Sequence, residues 1–299
     1  MVHPEYLDFS ESVKSHHLWH VKRWIANNEW EGGNKWFKLK YNWLQAQEKG
    51  FSSIVSIGGA WSNHLSALAY AGDHLGLNTI GLIRGAWRSA HPTPSMLEME
   101  GNGMKLIGLD TAIYEMRDTE DFKVWLRDQY PNSYYIPEGG ANYWGLMGAM
   151  EMLDERDQQD YDAIWLAGGT GTTAAGVLLS AAAHQKVHVV FALKASEDEL
   201  REMVMAKLKW LIQDNESLED LMSRLIVYGD DQWGGYGRGD QRLFDWINEW
   251  EDKGLPLDRV YTAKLWWCIV QNIQYSREAD RNLMIHTGGL QGNRSITFS

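Results

Sequence analysis

The sequence predicts an α/β protein built on two open parallel sheets, each covered by helices. Three observations carry that prediction. Short apolar runs alternate with longer stretches of helical periodicity, the pattern of β-α-β units. The alternation occurs twice, roughly before and after residue 150. No Pro/Ser linker or low-complexity tract separates the two halves. The units are therefore expected to pack directly against each other, with a cleft at the strand ends where open α/β sheets bind ligands.

In chain order, residues 53–57 (SIVSI) read as a strand ended by Gly58-Gly59. A helix follows, with Leu65, Leu68, Ala69 and Leu75 at helical spacing. Residues 79–83 (TIGLI) read as a strand, 96–100 as a helix and 104–107 as a strand. The amphipathic stretch 122–130 precedes a strand over 134–136. In the second half, 163–166 (AIWL) runs into a glycine loop and a small-residue helix over 174–183, and 187–192 (VHVVFA) is a further strand. There is no internal repeat of fixed period.

Composition bounds the function. A chain of 299 residues with 44% apolar and 23% charged residues is an ordinary globular protein of about two domains. Lys+Arg 28 against Asp+Glu 40 gives a net charge of −12, which argues against a nucleic-acid partner. No apolar stretch reaches the ~18 residues of a membrane helix, and the opening MVHPEYLDFSESVK is too polar for a signal peptide. The single cysteine, Cys268, cannot close an internal disulfide and fits a reducing, cytoplasmic setting. Neither it nor the histidines show metal-ligand spacing, so no metal is expected. The 16 tryptophans are expected to fill cores and an apolar subunit interface, hence a homodimer.

Four glycine-containing segments could carry chemistry. Gly169-Thr170-Gly171-Thr172-Thr173 follows a strand and opens a helix. Its glycines let the backbone approach a ligand, and the helix N-terminus offers N–H groups to an anion such as a phosphate monoester. It lacks the lysine of a nucleotide-triphosphate loop and the spacing of a dinucleotide fingerprint. Alternatively it is a tight turn with threonine capping. Gly58-Gly59-Ala60-Trp61-Ser62-Asn63-His64 repeats the strand-to-helix arrangement. Ser62 or Asn63 reads equally as an N-cap or as part of a second anion cradle for a substrate carboxylate. In Gly32-Gly33-Asn34-Lys35-Trp36-Phe37-Lys38-Leu39-Lys40 a lysine nucleophile would need a dry site that lowers its pKa. In the run ending Ile285-His286-Thr287-Gly288-Gly289, His286 reads as a satisfied core or loop histidine.

Taken together, these segments resemble one family. GGNKWFKLKYNWLQ (32–45), IGGAWSNHLSALAYAG (57–72), IPEGGAN (136–142), GGTGTTAAG (168–176), GGYG (234–237), PLDRVYTAK (256–264) and IHTGGLQGN (285–293) occur in the order found in the pyridoxal-phosphate-dependent 1-aminocyclopropane-1-carboxylate deaminase / D-cysteine desulfhydrase family. The resemblance implies a fold-type-II enzyme with pyridoxal 5′-phosphate in the cleft between two α/β domains: a small one over 41–148, and a large one made of 1–40 and 149–299. It implies Lys35 as the Schiff-base lysine. Ser62, Asn63 and His64 would form the substrate-carboxylate loop, with Asn63 also near the cofactor ring oxygen. Gly169, Thr170, Gly171, Thr172 and Thr173 would hold the phosphate, Tyr236 and Tyr261 would flank the substrate, and Thr287 would lie beside the pyridine nitrogen.

The resemblance further implies elimination from a small D-amino acid to a keto acid and ammonia, with sulfide from D-cysteine. Deaminases that open the cyclopropane ring resemble YEGK and HLGG where this chain has Tyr261-Thr262-Ala263-Lys264 and His286-Thr287-Gly288-Gly289. Thr262 and Thr287 thus favour the desulfhydrase-like side. The alternatives are a 1-aminocyclopropane-1-carboxylate deaminase, an amino-acid racemase of the same family, and a cofactor-binding protein without turnover. Ala263, in place of a glycine, is expected to crowd the Tyr261 turn. The segment Trp24-Ile25-Ala26, in place of an acidic pair, bears on the substrate.

Overall fold

The computed structural model describes residues 3–13, 16–25, 33–85, 92–272 and 280–295. Its strands are β1 (His3–Asp8), β2 (Leu18–Ile25), β3 (Ser53–Gly58), β4 (Asn78–Arg84), β5 (Lys105–Leu109), β6 (Ser133–Ile136), β7 (Ala163–Gly168), β8 (Lys186–Phe191), β9 (Leu225–Tyr228) and β10 (Arg281–Ile285). They form two sheets, β5-β4-β3-β6 and β1-β2-β10-β7-β8-β9. The smaller sheet is wholly parallel. The larger is parallel from β2 to β9, but β1 pairs antiparallel with β2.

That antiparallel edge departs from the all-parallel expectation, and β2 itself escaped the sequence reading. The reason is its polar content. LWHVKRWI does not look like a buried strand, yet Lys22 is only 2% exposed. Its ammonium pairs with Asp157 and, at 3.1 Å, with Asp154 at the start of the helix Glu155–Asp160. A buried ammonium is tolerated only with such partners. The central strand β7, AIWLAG, is buried at every position, as a strand covered on both faces should be.

Apolar side chains fill both faces of both sheets. Ile164, Leu166, Val187 and Val189 pack against Val177 and Val204 on one face of the large sheet, and Trp19, Trp165, Trp250 and Trp266 gather on the other. In β3 the two-residue period is explicit: Ile54 packs with Leu65 and Leu68, while Val55 and Ile57 pack with Phe122 and Leu126. The helix Asn34–Glu48 ties the two systems together, giving Phe37 to the large-sheet core and Leu39, Trp43 and Ala46 to the small-sheet core. Trp24 packs edge-on against Phe37 with ring centroids 5.0 Å apart; Ala26 lies outside the described residues. Among the described residues no helix is long and apolar enough to cross a membrane.

Candidate active site

Three strand ends and one helix start converge on a cleft. The turn after β3 leads to the helix Asn63–Leu75, that after β7 to the helix Thr172–Ser180, and β10 runs into 286–289. The fourth wall is the start of the helix Asn34–Glu48. They border an inner cavity of about 550 Å³, counting its open mouth, lined by Lys35, Lys38, Asn63, Gly169 to Gly171, Thr173, Tyr261 and Thr287, among others. An outer part of about 1050 Å³, counting its open mouth, adds Ser62, His64 and Tyr236. Of the residues that the resemblance assigns to the site, Thr172 alone is away from this lining. It is fully buried, and its hydroxyl lies 3.3 Å from that of Thr170.

The glycine loop is shaped for close approach. Gly171 caps the helix Thr172–Ser180 with φ 80° and makes no side-chain cap bond, so the first-turn N–H groups face the cavity uncapped. A Cβ on Gly171 would lie 3.1 Å from the carbonyl oxygen of Met203, and one on Gly169 3.3 Å from the Tyr261 ring. The threonine-capping alternative is not what the loop does. Its helix starts two residues earlier than the sequence suggested, which brings Thr172 and Thr173 into the first turn.

Lys35 is tied to this loop. Its Nζ donates to Asn34 Oδ1 at 2.7 Å, and Asn34 Nδ2 donates to Thr173 Oγ1 at 3.0 Å. Burial pulls the Lys35 pKa down to about 8, against a smaller opposing pull from the Asp258 carboxylate. This is the dry setting a lysine nucleophile needs. One turn further on, Lys38 is 3% exposed and also lines the inner cavity. Burial and the Lys35 charge hold its pKa well below the ordinary value, and its ammonium has no hydrogen-bond or ion-pair partner among the described residues. Lys38 was passed over in the sequence; its three-residue spacing from Lys35 was the signal available.

In the second loop both readings of Ser62 have a place. Ser62 caps the helix Asn63–Leu75, accepting from Leu65 N at 3.2 Å, and it also lines the outer cavity. Asn63 Oδ1 accepts from Gln291 Nε2 at 3.1 Å. His64 is 2% exposed. Its Nε2 is 3.0 Å from Ser56 Oγ, which donates its own proton to Ile136 O at 2.7 Å. The imidazole must therefore carry its proton on Nε2, leaving Nδ1 as a buried acceptor with no partner. Burial, with the charges of Lys38 and Lys35, keeps His64 neutral. Trp61 is 42% exposed and lines neither part of the cavity.

Tyr236 and Tyr261 stand edge to face, with ring centroids 6.0 Å apart. The Lys35 ammonium is 5.7 Å from the centroid of the Tyr261 ring. Burial raises both phenol pKa values, that of Tyr261 well above its ordinary value. Tyr261 is a protonated donor at neutral pH. Asp258 fixes it: Oδ1 accepts from Val260 N and Tyr261 N, each at 2.9 Å, and Oδ2 from Thr262 N at 2.8 Å and Thr262 Oγ1 at 2.7 Å. Ala263 sits in the first helical turn, fully buried, where alanine is a good helix former, and the crowding expected of it is absent.

Thr287 lines the inner cavity and is 7% exposed. Its carbonyl accepts from Asn34 N at 3.2 Å. Gly33 is packed so closely there that a Cβ would come within 2.8 Å of that oxygen. His286 donates from Nε2 to Pro256 O at 2.9 Å and accepts from Gly288 N at 3.3 Å, a satisfied neutral histidine as read from the sequence.

The cavity's lining, with two lysines and an uncapped helix N-terminus, suits an anionic carbonyl cofactor. No family model matches the chain. A Pyrococcus horikoshii protein provisionally named 1-aminocyclopropane-1-carboxylate deaminase is 28% identical over 277 residues, covering 87% of this chain and 81% of that one. A bifunctional mitochondrial D-cysteine desulfhydrase/1-aminocyclopropane-1-carboxylate deaminase of Arabidopsis thaliana is 26% identical over 299 residues, covering 90% and 72%. The crystal structure of a homologue of 1-aminocyclopropane-1-carboxylate deaminase superposes with a TM-score of 0.79 at 24% identity, covering 98% of this chain and 90% of that one. The chain has the fold of the fold-type-II pyridoxal-phosphate enzymes. A pyridoxal-phosphate-dependent aspartate racemase shares the same fold-type-II architecture, with a TM-score of 0.64 at 17% identity over 96% of this chain and 90% of that one.

Proposed function

We propose that this fold-type-II enzyme is a D-cysteine desulfhydrase-like lyase, eliminating a β leaving group from a small D-amino acid to give a keto acid and ammonia. The observation that carries the reading is the pair Lys35 and Lys38. A half-buried lysine, Lys35, and a buried one, Lys38, share one cavity at an uncapped helix N-terminus, and Lys38 has no counterion among the described residues. A buried ammonium in that position calls for an anion, and the depressed pKa of Lys35 makes its amine reactive toward a carbonyl. Pyridoxal 5′-phosphate satisfies both demands.

On this reading the phosphate is held by Gly169, Thr170, Gly171, Thr172 and Thr173 with Lys38, and Lys35 carries the cofactor. Once bound, the cofactor supplies an electron sink for the pair released at Cα. The chain's own residues do the rest. Ser62 and Asn63, with His64 beside them in the same loop, receive the substrate carboxylate with its amine toward Lys35. The Lys35 amine removes and returns the Cα proton. The Tyr261 phenol, protonated and with its backbone held by Asp258, donates to the leaving group, and Tyr236 packs edge to face against its ring. Thr287 would offer the cofactor's ring nitrogen a neutral hydroxyl and no carboxylate, which would leave that nitrogen unprotonated and favour elimination over transamination. We further assign residues 41–148 to the small domain, and 1–40 with 149–299 to the large one. A homodimer in the cytoplasm fits the tryptophan load and the single cysteine.

The test is a panel of D- and L-amino acids scored for keto-acid release, with sulfide measured for cysteine. Sulfide and pyruvate from D-cysteine are expected. Release from L-amino acids alone, or racemisation without keto acid, would replace the reading.

A further inference from the structure

Asn63 lines both parts of the cavity, and what it offers there depends on which way its amide is turned. The oxygen of an amide accepts hydrogen bonds and the nitrogen donates them. Gln291 decides between the two. It is 7% exposed, in the turn Leu290–Ser295 that follows β10, and its Nε2 donates to Asn63 Oδ1 at 3.1 Å. The oxygen of the Asn63 amide is thereby engaged. Its Nδ2 makes no hydrogen bond among the described residues.

A second neighbour favours the same orientation. Gly289, at φ 96°, is packed so that a Cβ would lie 2.8 Å from Asn63 Nδ2 and 3.4 Å from Asp258 Cγ. The amide nitrogen thus faces the side on which the Asp258 carboxylate lies. A carbonyl oxygen there would turn one acceptor toward another. The turn that carries Gln291 is itself held. Gly292 N donates to Gly289 O at 3.0 Å, and Asn293 accepts from Arg259 N at 3.0 Å and donates to Leu257 O at 2.8 Å. Gln291 therefore belongs to the large-sheet side, whereas Asn63 opens the helix after β3 of the small sheet. Their bond crosses from one sheet system to the other.

We infer that Gln291 is a positioning residue: it turns the Asn63 amide so that its N–H groups, and not its oxygen, face the cavity. What those groups suit is an oxygen acceptor, carried by the cofactor or by the substrate carboxylate. The inference rests on the cofactor reading of the cavity and adds the residue that sets the polarity of one wall. The Ser62-Asn63-His64 loop then presents a donor because a side chain more than 200 positions away fixes it.

The test compares Gln291→Glu with Gln291→Met at about pH 8.5, where a carboxyl is ordinarily ionised, each alone and combined with Asn63→Ala. An ionised carboxylate only accepts. Gln291→Glu therefore draws Asn63 Nδ2 toward position 291 and turns the oxygen into the cavity, while Gln291→Met frees the amide without turning it. Cofactor-stripped protein is titrated with pyridoxal 5′-phosphate, and the loaded protein with D-cysteine, both followed by absorbance. Gln291→Glu is expected to weaken binding at least ~10-fold, the scale of a hydrogen bond lost and an unmatched acceptor left in its place, and Gln291→Met by less. The loss falls on cofactor affinity, with a shifted absorbance maximum, if the acceptor is the cofactor's. It falls on D-cysteine alone if the acceptor is the carboxylate. In the Asn63→Ala background Gln291→Glu should lose nothing further. An equal loss there would be a direct effect of the added charge and would overturn the positioning role, as would unchanged binding of both ligands in Gln291→Glu. If the unmodified protein takes up no pyridoxal 5′-phosphate, the cofactor reading falls by itself. Nitrogen-15 NMR of the cofactor-free protein then decides: Gln291 side-chain N–H signals that move on Asn63→Ala uphold the positioning bond, and unmoved signals remove it.

Discussion

Lys264 holds the backbone that presents Tyr236. From the helix Thr262–Asn272, its ammonium donates to Gly235 O at 2.8 Å and pairs with Asp230 at 2.5 Å. Asp230 in turn accepts from Trp233 N and Gly235 N, each at 3.0 Å. On the other side of Tyr236, Arg259 donates to Gly237 O at 2.9 Å. The turn needs such clamps because Gly234, Gly235 and Gly237 all adopt positive φ, at 83°, 102° and 68°. The segment that carries Tyr261 thus also grips Tyr236, and the two phenols are set by one piece of chain.

Lys264→Met should therefore do two things. Leaving Asp230 buried without its cation is expected to cost about 3–5 kcal/mol, read as a fall of several degrees in Tm. Tyr236 should lose its register, with kcat down at least ~10-fold while cofactor absorbance is retained. Lys264→Arg should recover part of kcat. A variant that loses stability but keeps full kcat would make Lys264 structural only.

Tyr261→Phe should cut turnover by at least ~10-fold, the scale of a lost general acid, without releasing the cofactor. Because burial raises the Tyr261 pKa well above its ordinary value, no limb of the pH–rate profile between pH 6 and about 9 should belong to it. Normal turnover in Tyr261→Phe would transfer the proton-donating role to Tyr236 or Lys35.

The strands of the small sheet were legible because each carries an apolar run of the right length, as in SIVSI and TIGLI. The glycine loops were legible because β7 and β3 end in glycine just before a helix. β2 was not, since Lys22 looks solvated until Asp154 and Asp157 are folded against it from more than 130 positions away. Lys38 was missed for the same physical reason. A lysine on a helix is usually wet, and only the burial of both faces of the helix Asn34–Glu48 dries this one.

1-Aminocyclopropane-1-carboxylate should be a poor substrate or none. Opening its ring requires a group aimed at a carbon that β-elimination never attacks, and it benefits from a protonated ring nitrogen, which a carboxylate would favour. Thr262 cannot supply either. It is fully buried, and its hydroxyl is committed to Asp258, donating to Oδ2 and accepting from Asp258 N, each at 2.7 Å. Thr287 brings no charge. Brisk 2-oxobutanoate formation by the unmodified protein would refute this.

Lys38 should make the cofactor-free protein responsive to inorganic phosphate. An anion that binds only the folded chain raises its stability with concentration, and an unpartnered buried ammonium at a helix N-terminus is the strongest attraction such an ion could meet here. Millimolar phosphate should raise Tm in the unmodified protein, while Lys38→Met should respond much less. An equal response would leave the binding to the loop N–H groups alone.

Lys35 should give the cofactor-free protein a stability that rises with alkali. Burial brings its folded pKa to about 8 from an ordinary 10.5. Between those values the unfolded chain still binds a proton at this position and the folded chain does not, so the unfolded state carries more protons and stability increases with pH. Below about pH 8 the amine is charged in both states and the penalty of burying it is fully present; above about 10.5 it is gone. Asp258 opposes the shift without reversing it. Urea midpoints at pH 8 and pH 10 should therefore climb more steeply in the unmodified protein than in Lys35→Met, where the methionine has no proton to lose. The climb that remains in the variant belongs to the other titrating groups, Lys38 among them. Equal slopes in the two proteins would mean that the Lys35 ammonium is solvated in the folded state, and the case for a reactive amine at this position would fail with it.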